Sequence, residues 1–431
     1  MLDIKQMRQN PEIFRRGLRR RGIDPSVVDR CLAMDEERRG LITRIQLLRH
    51  RRNELAEEIG RAKKMGKDAS EMMRSVAEVS QEIERLEARL EQVESELHST
   101  LFRLPNLPDD SVPDGETEDD NVVVRTWGQT VKEDWMRDHV DILVGLGMLD
   151  VEAAGKVAGA RFYYIFDEIV ELNYALINYA LDFLSARGFR LVQPPYMLRR
   201  EIMDGVIALE DFESMIYKVE GEDLYLIGTA EHPIAGLHAG EILDGRALPL
   251  RYAGVSPCFR KEAGAHGKDT KGIFRVHQFE KVEQFVFCKP EQSWSEHELL
   301  IRNAEELYRG LGLPYRVVNI CIGELGPIAA KKYDLEVWMP AQERYREVVS
   351  CSNCTDYQAR RLNIRYREAP HVEETRHVHT LNSTAIATER TIVAIIENYQ
   401  RRDGSVEIPK ALHPYMRGKT VIRPKPKNMA S

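Results

Sequence analysis

The sequence predicts an α+β protein with an N-terminal antiparallel two-helix coiled-coil arm, followed by a domain built on an antiparallel β-sheet flanked by helices. Three observations carry this prediction. Two heptad runs in the N-terminal quarter flank a short reversal that contains a glycine. Beyond residue 161, most strand-like apolar runs follow one another without the crossover helix that a parallel sheet needs. The 431 residues are 43% hydrophobic and 30% charged, with a mean hydropathy of −0.42, so the chain can bury real cores. It has no low-complexity tract and no apolar window long enough to cross a membrane. The opening Met1-Leu2-Asp3-Ile4-Lys5-Gln6 lacks the apolar core of a secretory leader, and six cysteines in a chain this long do not make a disulfide framework. A cytoplasmic protein without a membrane partner is expected.

In chain order, the arm comes first. Residues 1–104 hold 22 Lys and Arg against 19 Asp and Glu, so the remainder carries −10 of the total charge of −7. Met72, Val76, Val79, Ile83, Leu86, Leu90, Val93 and Leu97 form a heptad seam. Leu41, Ile45, Leu48, Arg52, Leu55, Ile59 and Ala62 repeat its spacing, and the reversal at 63–70 is too short to allow anything but an antiparallel pair. About 30 residues per limb give an arm roughly 45 Å long. Residues 38–67 carry ten basic and three acidic side chains, and residues 71–98 carry three basic and eight acidic ones. One limb offsets the other in part, but the basic excess near the tip exceeds what an internal ladder uses. By pattern alone, such an arm is more often a partner-binding or solvated coiled coil than a nucleic-acid reader.

A linker is expected over 105–135, where three prolines and seven acidic residues fall before position 121. The second domain then covers 136–431. Its helices are expected at 161–187, 290–311 and 384–399, with strands near 190–198, 223–228, 249–260, 274–287, 315–322, 332–339 and 346–351.

The common nucleotide, protease and hydrolase signatures are missing: there is no GxxxxGK[ST], helix-opening GxGxxG, HExxH or GxSxG. Cys351 and Cys354 form a lone CxxC and read as two small buried thiols, so zinc is not expected. What stands out is a hairpin. Cys258-Phe259-Arg260-Lys261-Glu262 leads into a Gly/Lys-rich loop, and Ile273 to Glu283 returns with 275, 277, 279, 281 and 283 on one face. A face of Arg, His, Phe, Lys and Glu makes a poor core. It suits either a solvated outer surface or a binding surface.

This hairpin resembles motif 2 of the class II aminoacyl-tRNA synthetases, and the details are similar to the seryl-tRNA synthetases. Residues 188–195, ending in Pro194-Pro195, resemble motif 1, while 382–391 leading into Glu397-Asn398-Tyr399 resembles motif 3 in an archaeal-type form. Thr229-Ala230-Glu231, Glu347-Val348-Val349-Ser350 and Thr355–Arg361 look like blocks specific to the seryl family. The likeness runs from Leu2 through the arm to Tyr399. It implies a serine–tRNA ligase that forms seryl-adenylate from ATP and L-serine and passes the seryl group to serine tRNA, with selenocysteine tRNA as a further candidate.

The resemblance also implies roles. Arg260 would bridge the attacking carboxylate and the α-phosphate, Glu262 would accept from the adenine amino group, and Phe279 would stack under the adenine. Arg275 would hold the γ-phosphate end, and Arg390 would stack over the adenine or bind the γ-phosphate. Lys261, Val276, Val348 and Val349 complete the ATP site, and Glu347 and Ser350 would hold Mg2+. Thr229 and Glu231 would face the serine ammonium, with Ala230 beside them in the serine site, while Glu283 and Thr384 would face the serine side chain, with Asn382 near the pocket. On the arm, Arg38, Arg39, Arg44, Arg49, Arg51, Lys63, Lys64 and Lys67 are the candidates for RNA phosphate contacts. A homodimer through motif 1 is expected. Two rivals are a ligase that loads a carrier protein, whose relatives lack the arm, and an inactive synthetase-like protein, which would be expected to lose Arg260, Glu262 or Arg390.

Overall fold

A computed structural model describes residues 1–207, 213–262 and 271–424. The chain forms two compact units, Met1–Leu107 and Pro108–Ser431.

The first unit is helical. α1 (Ile4–Gln9) starts at Asp3, whose carboxylate accepts from the Lys5 amide at 2.7 Å, and α2 (Pro11–Arg20) starts on a proline that has no amide to leave unpaired. α3 (Ser26–Lys64) and α4 (Ser70–Arg103) form the arm. Ile45, Leu55 and Ala62 of α3 and Ile83, Val93 and Leu97 of α4 are buried along the expected seam. The reversal is a Schellman closure. The amides of Gly66 and Lys67 donate to the carbonyls of Lys63 and Ala62, and Gly66 takes the required positive φ of 69°. Asp68 then closes a local turn into α4, its carboxylate accepting from the Ser70 amide at 2.9 Å. Near the root of the arm, buried Asp35 is compensated by Arg8 at 2.6 Å, Arg38 at 2.9 Å and Arg39 at 3.1 Å.

The second unit is built on an eight-stranded sheet. Its strands are β1 (Val122–Trp127), β2 (Arg190–Val192), β3 (Leu250–Phe259), β4 (Gln278–Cys288), β5 (Tyr315–Asn319), β6 (Lys331–Met339), β7 (Arg344–Asn353) and β8 (His379–Ala387). They lie in the order β1-β5-β6-β7-β8-β4-β3-β2, antiparallel throughout except for β2 beside β3. Three long helices, α5 (Glu168–Ser185), α6 (Ser293–Gly310) and α7 (Thr388–Asn398), cover one face. Strand alternation divides the apolar residues. Val282 and Val286 of β4 join the core under these helices, whereas Phe285 and Phe287 join a second core on the other face. The six cysteines are free and buried.

Several expected boundaries need correction. Part of the stretch read as a linker belongs to the second unit: the Asp109 amide donates to the Ala330 carbonyl at 2.8 Å, and β1 pairs with β5. The helix expected at 161–187 starts at Glu168, and the strand expected at 190–198 is split into Arg190–Val192 and Met197–Arg199. Pro194 and Pro195 between them have no amide for a ladder. The returning strand starts at Gln278, not 274, so residues 275 and 277 precede it. The helix expected from 384 starts at Thr388, because 384–387 pair with β4 instead. The Gly/Lys-rich loop of the hairpin, at 263–270, lies outside the described residues.

Candidate functional site

Strands β4, β6, β7 and β8 form the floor of a cavity of about 370 Å³ in the second unit. Pleating explains why charged side chains occur on strands that are otherwise buried. On β4, Phe279, Lys281 and Glu283 point to one face, and Thr384 of β8 is the register partner of Glu283.

At one end, the Arg260 guanidinium lies 5.2 Å from the Phe279 ring centroid, and its Nε donates to the Gly228 carbonyl at 3.2 Å. The backbone of Arg260 is tied at both of its polar groups to His277, its amide donating at 2.9 Å and its carbonyl accepting from the imidazole at 2.8 Å. Glu262 has a φ of 49° and pairs with Arg275 at 2.9 Å. Arg390 donates to the Glu347 carbonyl at 3.0 Å, approaches its carboxylate at 3.4 Å and lies 5.2 Å from the Phe274 ring centroid. Glu347 opens onto the cavity, its side chain 46% exposed. Desolvation by the surrounding protein would raise its carboxyl, yet Arg390, Lys332, Arg260 and Arg275 together hold it below the usual range. Asp334 behind it is pushed up to about 7, chiefly by burial.

The other end is a tighter polar cluster. Lys281 forms an ion pair with Glu283, and the Thr229 hydroxyl donates to the same carboxylate at 3.2 Å. Glu231 accepts from the Gln358 amide at 3.0 Å. Enclosure and then the Glu283 charge push its carboxyl up to about 7, so it ionises near neutrality. His232 is held down to about 3 by burial, reinforced by Arg260 and Lys281, and stays neutral. The Asn382 amide faces the Cys354 sulfur at 3.7 Å.

Of the candidates named from the sequence, Thr229, Glu231, Arg260, Glu262, Arg275, Val276, Phe279, Glu283, Glu347, Val348, Ser350, Asn382, Thr384 and Arg390 line this cavity. Ala230, Lys261 and Val349 do not. Ala230 and Val349 are buried in the cores, and the Lys261 ammonium lies over the Tyr217 ring, 5.6 Å from its centroid. Sequence reasoning did not single out Lys281, Lys332 or Glu389 as site residues. Lys281 stood on the face already singled out, but its ion pair with Glu283 gave it no separate signal. Glu389 accepts from the Glu280 amide at 3.0 and 3.2 Å and from the Tyr163 and Thr388 hydroxyls, bracing the strand next to Phe279.

Residues 215–399 match the class II tRNA synthetase core domain (G, H, P, S and T), and residues 1–108 match the seryl-tRNA synthetase N-terminal domain. A serine–tRNA ligase of Pyrococcus abyssi is 55% identical over 98% of both chains, and one of Methanocella arvoryzae is 52% identical over 97% of this chain and 99% of its own. The chain belongs to the seryl-tRNA synthetase family. A family member from Pyrococcus horikoshii, solved in complex with ATP, superposes with a TM-score of 0.93 at 53% identity, covering 99% of this chain and all of that one. The cytoplasmic serine–tRNA ligase of Naegleria fowleri, in complex with AMP, gives 0.90 at 40% identity over 99% of both chains.

In the part that matches the seryl-tRNA synthetase N-terminal domain, the structure sorts the eight basic candidates. Arg38 and Arg39 are engaged by Asp35, Arg49 by Glu87 at 2.7 Å, and Arg51 by Glu54 at 3.4 Å. Among the described residues, Arg44, Lys63, Lys64 and Lys67 are exposed and form no ion pair. The uncompensated charge is therefore concentrated toward the reversal.

Proposed function

We propose that this chain is an ATP-dependent serine–tRNA ligase of the cytoplasm. It joins L-serine to ATP as seryl-adenylate, releases pyrophosphate, and transfers the seryl group to the terminal ribose hydroxyl of serine tRNA. The observation that carries the proposal is one cavity lined at one end by Arg260, Phe279, Glu347 and Arg390 and at the other by Thr229, Glu231 and Glu283. Adenylyl transfer to a carboxylate needs this division, because the amino acid and the nucleotide must meet in line, and an ionised carboxylate has no proton to remove.

In the first step the serine carboxylate attacks the α-phosphorus in line and pyrophosphate leaves. Charge develops on the phosphoryl oxygens, and Arg260 offers a planar, permanently charged donor set to it. Phe279, already against the Arg260 guanidinium, gives the adenine an aromatic floor. Arg275 and Arg390 now rest on Glu262 and Glu347, and both can turn to phosphate when nucleotide enters. That exchange frees the Glu262 carboxylate to accept from the adenine amino group. Ionised Glu347 and the Ser350 hydroxyl are hard oxygen donors that fit Mg2+ held jointly with phosphates and water. Such an ion would neutralise phosphate charge.

At the other end, Glu231 would take the serine ammonium. Glu283, with Thr384 opposite, would accept from the serine hydroxyl, and an amino acid without that hydroxyl would leave a buried acceptor unpaired. Such a mismatch costs roughly 10^4 to 10^5 in rate. Arg44, Lys63, Lys64 and Lys67 would contact tRNA phosphates, and the outward faces of α5 and β2 would join two chains. Tyr174 and Leu191 there are 57% and 47% exposed. The domains would then be a tRNA-binding arm at 1–104 and a catalytic domain beyond the 105–135 segment. Serine-dependent ATP–pyrophosphate exchange, followed by charging of bulk tRNA, tests the proposal. Exchange with another amino acid, or exchange without charging of serine tRNA, would refute it.

A further inference from the structure

The block Thr355–Arg361 has no role in the reaction as derived above, yet it is bonded to two walls of the amino-acid end. Its short helix Tyr357–Arg361 buries Gln358 completely. The Gln358 amide donates to Glu231 Oε1 at 3.0 Å and to the Val206 carbonyl at 3.2 Å, while its oxygen accepts from the Thr380 hydroxyl at 2.7 Å. Thr380, on β8, holds that oxygen, and the Val206 carbonyl, which can only accept, selects the amide's orientation. The flipped amide would set an oxygen against the Glu231 carboxylate. Arg361 adds two bonds to the same wall, donating to the carbonyls of Asp204 at 2.9 Å and Ile207 at 3.1 Å. Those carbonyls end the helix Arg200–Val206, where helical bonding leaves acceptors without partners, and Ile207 lines the cavity.

We propose that Gln358 is a positioning residue of the amino-acid site: it fixes one oxygen of Glu231, leaves the other for the substrate ammonium, and holds the Val206–Ile207 wall at a set distance. The inference rests on Glu231 being the ammonium acceptor. Around Glu231 stand Glu283 and Lys281 of β4, Arg260 at the end of β3, the Cys354 thiol and the neutral His232 of its own helix. Enclosure and Glu283 raise the Glu231 carboxyl, and Lys281, Gln358 and Arg260 oppose them. A donor to the ionised form favours that form, so removing it makes Glu231 protonate at higher pH.

The test is full-length Gln358→Met, which keeps length and apolar volume but has no donor, assayed by pyrophosphate exchange across a pH series. The KM for serine should rise about 10- to 100-fold, the loss of a hydrogen bond to a charged group. The acid limb of kcat/KM for serine should move to higher pH, and the KM for ATP should stay within about twofold. An unmoved serine KM and acid limb, or equal losses for both substrates, would overturn the inference. If Gln358→Met does not fold, Thr380→Val decides, because it removes the hydroxyl that holds the Gln358 oxygen while keeping a β-branched strand residue. It should raise the serine KM in the same direction, and no rise would overturn the inference. Glu231→Gln, run in parallel, separates the failures. If it leaves the serine KM unchanged, the ammonium assignment falls and this inference with it. If it raises the KM and Gln358→Met does not, only the role of Gln358 falls.

Discussion

Glu389 shows how a single residue can work against stability in favour of position. It is buried, and burial pushes its carboxyl up to about 7 although Tyr163, Thr388 and the Glu280 amide bond to it. A folded value above the unfolded one means that this group's contribution to stability is complete below about pH 4.5 and is lost as the pH rises through about 7. Glu389→Gln keeps an acceptor for the Glu280 amide and removes the ionisation. Its Tm relative to the parent protein should therefore improve between about pH 5 and pH 8, and thermal melts at the two ends check it. What the carboxylate secures is the spacing between Phe279 and the next helix residue, Arg390. Arg260 stands on the reacting side of the same end. Arg260→Ala should lower pyrophosphate exchange by roughly 10^2 to 10^3 or more with the Tm little changed. Exchange within a few-fold of the parent would remove Arg260 from the reaction.

At the scale of elements, the arm was legible because its period is local: residues three and four apart decide which face is buried, and Gly66 marks where the chain turns. β8 was not. Thr384 to Ala387 were read with the helix that follows, since a short apolar run fits either period. The bonds that decide the matter come from β4, a hundred residues earlier. The same limit applies to the site. Glu283 and Thr384 could be named from their motifs, but nothing near Glu231 announces Gln358, which lies 127 residues away. The split of β2 from Met197–Arg199 could have been foreseen from its two prolines. The arm also allows a clean separation of functions. A deletion of residues 44–91 with a short turn in their place keeps Asp35 and its arginines, as well as Val93 and Leu97. It should leave serine activation nearly unchanged and lower tRNA charging by several powers of ten in a salt-dependent way. Equal charging by the shortened and intact proteins would make the arm a spacer.

For the whole molecule, the exposed Tyr174 and Leu191 bear on assembly. A dimer through α5 and β2 should scatter light with about twice the 49.6 kDa of one chain, and Tyr174→Glu with Leu191→Glu should shift it toward a single chain. A monomeric mass for the parent protein at micromolar concentration would contradict this. The buried cysteines have a consequence of a different kind. Cys31 belongs to the first unit, the other five belong to the second, and burial raises the Cys31 and Cys258 thiols to about 11. An alkylating reagent attacks thiolate that it can reach, and the folded chain presents it with almost none. Labelling is thereby gated by opening of the structure. Mass-spectrometric uptake at Cys31 and at Cys258 would act as two separate clocks, one timing the opening of the helical unit and the other that of the sheet.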